Sequence, residues 1–176
     1  MPRLFTGIEI PPNETAALAL LRGGLPGARW IEPEDYHITL RFIGDVGVAM
    51  ANEIAGELDT ISGRSLTATI EGVGVFGGDR PRAIIAKVAP SDALGGLQAE
   101  HERLMRRLGV PPESRKFVPH VTLARLRGVS PDNVASYIES RESPGKLVFP
   151  VERFVLYSSR ESTGGGPYRV EATYPL

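Results

Sequence analysis

His37-Ile38-Thr39-Leu40 and His120-Val121-Thr122-Leu123 are the same short word written twice, a histidine and a threonine two residues apart in an apolar, β-prone run. Successive side chains in a strand point to opposite faces, so His37 and Thr39 share one face while Ile38 and Leu40 share the other. The same holds for His120 and Thr122 against Val121 and Leu123. The chain has 3 histidines, and two of them occupy the same place in the same word. A packing role gives no reason for that recurrence. Two imidazoles, each beside a hydroxyl and projecting from paired strands, predict an acid–base pair around a small anion.

Outward from the words, the chain reads as one sequence of elements repeated. Leu4 to Ile10 is a strand closed by Pro11-Pro12; Asn13 is the expected N-cap of a helix carrying Ala17, Leu18 and Leu21, stopped by Gly23-Gly24. Tyr36 to Ile43 is the strand of the first word, and Ile54, Leu58 and Ile61 follow at helical spacing. Leu66 to Phe76 is β-rich, with Gly72 and Gly74 predicting a bulge or bend. The order then restarts. Ala83 to Val88 is a strand, and Ser91 caps a helix carrying Leu94, Leu97, Leu104 and Leu108. Phe117 to Leu126 holds the second word, and Ser130-Pro131 opens a helix with Val134 and Ile138 on one face. Val148 to Tyr157 reads as one long strand and Tyr168 to Tyr174 as a short closing one; Glu161 to Pro167 is a glycine-rich loop.

This is the pattern of an internal duplication, two pseudo-symmetric lobes within a single domain over residues 1–176. Such symmetry brings the two words together across a central groove. A formal charge of −1 rules out a broadly basic nucleic-acid coat, so an anion site must rely on local cations. The absence of cysteine removes disulfides, thiolate nucleophiles and cysteine-rich zinc sites together. No apolar run approaches the roughly 18 residues of a membrane helix, and Met1-Pro2-Arg3-Leu4-Phe5 lacks a signal-peptide pattern. The expectation is a cytoplasmic, monomeric protein with no membrane partner.

Histidine suits both halves of phosphodiester cleavage, because a reference pKa of about 6.5 lets either form exist near neutrality. One neutral imidazole takes a proton from water while the other, protonated, gives one to the leaving oxygen. Each threonine hydroxyl can donate to a phosphate-like oxygen. No metal and no cofactor is needed for that scheme, and a metal site would want a third protein ligand. His101, the remaining histidine, lies on the Leu94–Leu97–Leu104–Leu108 stripe and is expected to pack between helix and sheet. Strict alternation puts Arg41 on the face of His37 and Thr39, where it would attract phosphate; an exposed strand-end arginine is the plainer alternative. The same rule puts Arg125 on the apolar face unless the strand ends or bulges. Phe5, Trp30 and Tyr157 are either base-stacking or core aromatics. Arg103, Arg106 and Arg107 form a solvated helix face, and Arg115-Lys116 could steer RNA towards the groove.

His37-Ile38-Thr39-Leu40-Arg41-Phe42-Ile43-Gly44 and Pro119-His120-Val121-Thr122-Leu123-Ala124-Arg125 resemble the two HxTx motifs of the two-histidine (2H) phosphoesterases. Within these, the chain is similar to the RNA 2′,3′-cyclic phosphodiesterases, a family first named as 2′-5′ RNA ligases. The likeness extends over Arg3-Leu4-Phe5, Ile8-Glu9-Ile10-Pro11, Ala28-Arg29-Trp30, Gly72 to Phe76, Arg80-Pro81-Arg82 and Leu156-Tyr157-Ser158-Ser159. The resemblance implies a bilobal α+β fold in which two antiparallel sheets flank a groove, with helices outside. It implies hydrolysis of a 2′,3′-cyclic phosphate at an RNA end to a 2′-phosphomonoester, with reverse 2′-5′ joining as a companion reaction. It also makes His37 the proton donor and His120 the acceptor, and has Thr39 and Thr122 hold the non-bridging oxygens. Arg125 matches the arginine that follows the second family motif. The residues by themselves support the pair without dividing its roles. Three rivals keep parts of this reading: a cyclic-nucleotide phosphodiesterase, a 2′-5′ oligonucleotide phosphodiesterase, and a non-catalytic module that binds RNA ends.

Overall fold

The computed structural model describes residues 3–159 and 166–176. Its strands are β1 (Arg3–Glu9), β2 (Ala28–Trp30), β3 (His37–Asp45), β4 (Leu66–Phe76), β5 (Ala83–Val88), β6 (His120–Leu126), β7 (Leu147–Val151), β8 (Arg153–Ser159) and β9 (Tyr168–Pro175). Four α-helices lie between them: α1 (Pro12–Ala19), α2 (Val48–Glu57), α3 (Asp92–Arg107) and α4 (Pro131–Ser140). Of the loop expected over Glu161–Pro167, residues 161–165 lie outside the described residues. Among the described residues no helix is long and apolar enough to cross a membrane.

Hydrogen bonding gives the strand order β7-β4-β5-β6-β3-β1-β8-β9, with β2 pairing β6, and every pairing is antiparallel. The two expected sheets therefore meet as one. Their junction is narrow: β3 and β6 share the single pair Ile38↔Val121. Each side borrows from the other end of the chain. β4 pairs with β5, the first strand of the second half, and β8 pairs with β1, the first strand of the first half. The long strand expected over Val148–Tyr157 consequently breaks at Glu152, because β7 belongs beside β4 and β8 beside β1.

Ile38, Leu40, Val121 and Leu123 are buried on the face opposite the histidines, in one core with helix residues such as Leu18, Ile54, Leu94, Leu104 and Val134. Burying each such side chain contributes roughly 1.5–3 kcal/mol, and this is what forces the polar members of both words outward. Capping follows the expected chemistry in two helices. Ser91 Oγ accepts from Leu94 N at 3.1 Å and Ser130 Oγ from Asn133 N at 3.1 Å. α1 differs, starting at Pro12 with Pro11 as its N-cap rather than Asn13. Proline at the first helical position lacks only an N–H that would be unbonded anyway.

His101 is fully buried, donates through Nδ1 to Leu97 O at 2.9 Å, and sets its ring edge-on against Phe154. Burial pushes its pKa down to about 4, so it sits in the core as a neutral ring. Arg106 and Arg107 stay on the solvated side of α3, paired with Glu102 and Glu57.

Candidate active site

The pair Ile38↔Val121 sets the geometry of the site. Continued one residue either way, that antiparallel register puts His37 across from Thr122 and Thr39 across from His120. The four polar side chains of the two words thus form a square on one face, with the two apolar partners directly behind it. Residues 83 positions apart in the chain are nearest neighbours across one strand junction.

Both rings are held the same way. His37 Nδ1 lies 2.8 Å from Asp35 O, and His120 Nδ1 lies 2.7 Å from Val118 O. A carbonyl only accepts, so each neutral ring carries its proton on Nδ1 and leaves Nε2 as the atom that gains or loses one. His37 Nε2 is 2.9 Å from Thr39 Oγ1, whose hydroxyl donates to it. Burial lowers the His37 pKa to about 4, partly offset by the Asp35 carbonyl, and the nearby His120 and Arg125 lower it further. His120 is lowered too, by burial first and by Arg125.

Aromatic rings buttress the histidines on unequal sides. Phe5, Val155 and Tyr157 form a small cluster of their own on the groove face, with Tyr168 against it. His37 packs on Phe5 at 4.9 Å, Tyr157 at 5.3 Å and Tyr168 edge-on at 5.2 Å. These rings pack against the imidazole, and Phe5 and Tyr157 are both buried. Trp30 packs against Tyr137, away from this cluster. On the other side Phe76 sets its edge against His120 at 4.7 Å. Gly7 is required here, since a Cβ would stand 2.8 Å from Ile38 O and 3.4 Å from the His37 ring.

Alternation breaks at the same place in both strands. Between β1 and β3 the register passes from Gly7↔Thr39 to Thr6↔Arg41, leaving Leu40 unopposed. Between β5 and β6 it passes from Ile85↔Thr122 to Ile84↔Ala124, leaving Leu123 unopposed. A bulge residue shifts the facing of all that follows. The side chains that return to the groove are therefore Phe42 and Arg125, not Arg41 and Ala124. This corrects the expectation for Arg41, which is 4% exposed and buried on the far side. Its Nε donates to Glu102 Oε2 at 2.5 Å, a terminal nitrogen donates to Pro111 O at 2.6 Å, and another reaches Phe42 O. The matching bulge at Leu123 in β6 turns Arg125 to the groove.

His37, Thr39, Thr122 and Arg125 line one cavity of about 130 Å³ with Arg3, Phe5, Ile31, Asp35, Phe42, Ser159 and Tyr168. His120 is not among these lining residues, and Phe42, nearly half exposed, is. Sequence reasoning did not pick out Asp35 or Tyr168. The Asp35 carbonyl orients His37 while its carboxylate accepts the Tyr168 N–H at 3.1 Å, fastening β9 beside the site. A main-chain carbonyl role leaves no trace in residue type.

The family model of LigT-like phosphoesterases matches the chain twice in succession, over residues 8–86 and 87–168. A curated relative from Aquifex aeolicus named RNA 2′,3′-cyclic phosphodiesterase is 31% identical over 153 residues, 84% of this chain and 81% of its own. One of the same name from Thermotoga maritima is 34% identical over 82% of this chain and 77% of its own. A third, from Aeropyrum pernix, is 39% identical over 107 residues, and this match spans 60% of each chain. Among solved structures, Escherichia coli LigT complexed with 3′-AMP superposes with a TM-score of 0.81 at 23% identity, covering 100% of this chain and 99% of that one. A Thermus thermophilus protein superposes at 0.79 and 25% identity, covering 99% of this chain and 97% of that one.

Proposed function

This chain belongs to the LigT-like phosphoesterase family, and from that premise we propose that it hydrolyses RNA 2′,3′-cyclic phosphate ends to 2′-phosphomonoesters, with His37 and His120 as an acid–base pair. The observation that carries the proposal is the register at Ile38↔Val121, which sets each histidine across from the other word's threonine. A cyclic phosphate seated on that square meets one imidazole on each side of phosphorus, as in-line displacement requires. His120 Nε2 takes the proton of the attacking water, and the new P–O bond forms as the bond to the 3′ oxygen breaks. His37 Nε2 gives that oxygen its proton. Thr39 and Thr122 donate to the non-bridging oxygens, and Arg125 adds positive charge where the dianionic product forms. With a ribose hydroxyl in place of water, the same steps join a 2′-5′ bond. Nothing in this sequence of steps calls on a metal or cofactor. The active unit is a single two-lobed domain acting as a cytoplasmic monomer.

Turnover of a short RNA ending in a 2′,3′-cyclic phosphate, in EDTA, tests this reading. Phosphorus NMR separates a 2′-phosphate from a 3′-phosphate product. The expected product is the 2′-phosphate; absence of turnover, or a 3′-phosphate, would overturn the assignment.

The lowered pKa values of His37 and His120 give a second expectation. The active form carries one proton over the two rings. Because both titrate below the usual 6.5, that form becomes scarcer as pH rises above neutrality. The value of kcat/KM is expected to fall about tenfold per pH unit above pH 7. A bound phosphate favours the protonated ring, so the basic limb of kcat lies at higher pH than that of kcat/KM. Steady-state rates between pH 5 and 9 check this, and a kcat/KM that climbs above pH 7 would exclude the acid role.

A further inference from the structure

The groove face continues past His120 onto strands that contain neither word. Register ties Lys87 to His120 and Ile85 to Thr122, and then Gly72 to Lys87 and Gly74 to Ile85. Residues paired across antiparallel strands project to the same side, so Lys87, Gly72 and Gly74 share the histidine face. Two contacts fix this independently. A Cβ at Gly74 would stand 3.2 Å from Lys87 Cδ, so the lysine stem lies across that glycine. Phe76, two residues further along the same face of β4, is the ring that abuts His120. Beside His120 there is thus a strip of glycine backbone on which the stem of an exposed lysine lies. Among the described residues Lys87 has no ion-pair partner.

The strip extends a line of positive charge. Arg115 and Lys116 are exposed on the segment leading into β6, and the Val88 N–H donates to Pro119 O, tying that segment to the end of β5 next to Lys87. Arg125 lies at the opposite end of β6, and a strand rise of about 3.3 Å per residue separates the two ends by roughly 15 Å. One phosphate group cannot touch both. A chain with a net charge of −1 that gathers cations at each end of its catalytic strand is built for an anion longer than a single phosphate.

We propose that Lys87, lying on the glycine floor of β4, is a subsite for a second phosphate of an RNA chain whose cyclic end occupies the square of the two words. This rests on the function proposed above. It makes the preferred substrate a polynucleotide rather than a cyclic mononucleotide. The glycines let the lysine stem lie flat on the sheet beside His120, and its ammonium is a flexible point charge that holds a phosphate without reading a base.

The probe is a fluorescent oligoribonucleotide ending in a 2′-phosphate, followed by polarisation over a range of salt, with a 2′-phosphorylated mononucleotide as competitor. Wild type is compared with Lys87→Ala and Lys87→Glu; both changes are at an exposed position, and thermal melting checks that they fold. Lys87→Ala is expected to weaken the oligonucleotide about fivefold and to reduce its salt slope by about 1, leaving the mononucleotide unchanged. Lys87→Glu weakens it further. Equal weakening of both ligands would place Lys87 at the terminal phosphate and overturn the subsite, as would unchanged oligonucleotide affinity. Wild-type turnover of the cyclic end is assayed on the same preparation. Turnover with no effect of Lys87 discards the subsite alone, whereas absent turnover discards the enzymatic reading while the affinity ratio still reports on Lys87.

Discussion

His37→Ala and His120→Ala are each expected to lower kcat on an RNA 2′,3′-cyclic phosphate by on the order of 10²–10⁴-fold. Without His37 the 3′ oxygen must leave as an alkoxide, and without His120 the attacking water keeps its proton until late in the reaction. The double variant should be little worse than either single, because the two transfers belong to one displacement. Both substitutions leave a small gap on the groove face rather than in the main core, so binding of the 2′-phosphate product survives in each. Full activity in either single variant would remove the acid–base pair from the mechanism.

The division of roles separates in a second substrate. A phosphodiester with p-nitrophenolate as leaving group expels a stable anion that needs no proton. On the proposed assignment, His37→Ala recovers most of its loss on that substrate while His120→Ala stays impaired. Rescue of His120→Ala instead would reverse the two roles and keep the pair. The near-symmetry of the anchors makes this test necessary. Asp35 O and Val118 O hold the two rings alike, so the main chain offers nothing to tell donor from acceptor.

The words themselves were legible in the sequence because their facing follows from alternation and their meeting follows from duplication. Alternation also misled, at one residue. Carried past Leu40, it sends Arg41 to the groove, and nothing in Leu40-Arg41-Phe42 contradicts it. Carried past Leu123, it sends Arg125 into the apolar face, a conflict that already signals a bulge. Duplication would transfer that bulge from the second word to the first and turn Phe42, not Arg41, to the groove. The exchange of β4 and β8 between the two sides was beyond reach for a different reason. Pairing partners of a strand depend on which edge is free after the first hairpins form, and Val148 to Tyr157 reads as continuous although the chain crosses the molecule at Glu152.

Glu102→Leu is expected to destabilise the fold by about 3 kcal/mol, because it strands the Arg41 guanidinium in the interior. Glu102 is the hub of that side: it accepts from Arg41 Nε, from Arg106 Nε at 3.0 Å and from the Glu113 N–H at 3.2 Å. Its partial burial raises its pKa, but hydrogen bonds from Arg106 and Arg41 outweigh this and hold the carboxyl below the usual range. Removing the carboxylate leaves Arg41 only the Phe42 and Pro111 carbonyls. Arg41→Leu/Glu102→Leu removes both charges together and should recover much of the loss, since neither desolvated group then lacks a partner. Urea unfolding of wild type, Arg41→Leu, Glu102→Leu and the double variant measures the coupling, with midpoints compared at constant slope. The same set decides what Arg41 is for. A buried strut predicts that the double variant, once folded, keeps kcat/KM within a few fold of wild type. A loss comparable with the histidine variants would mean that Arg41 reaches the phosphate after all, against the bulge that turns it away.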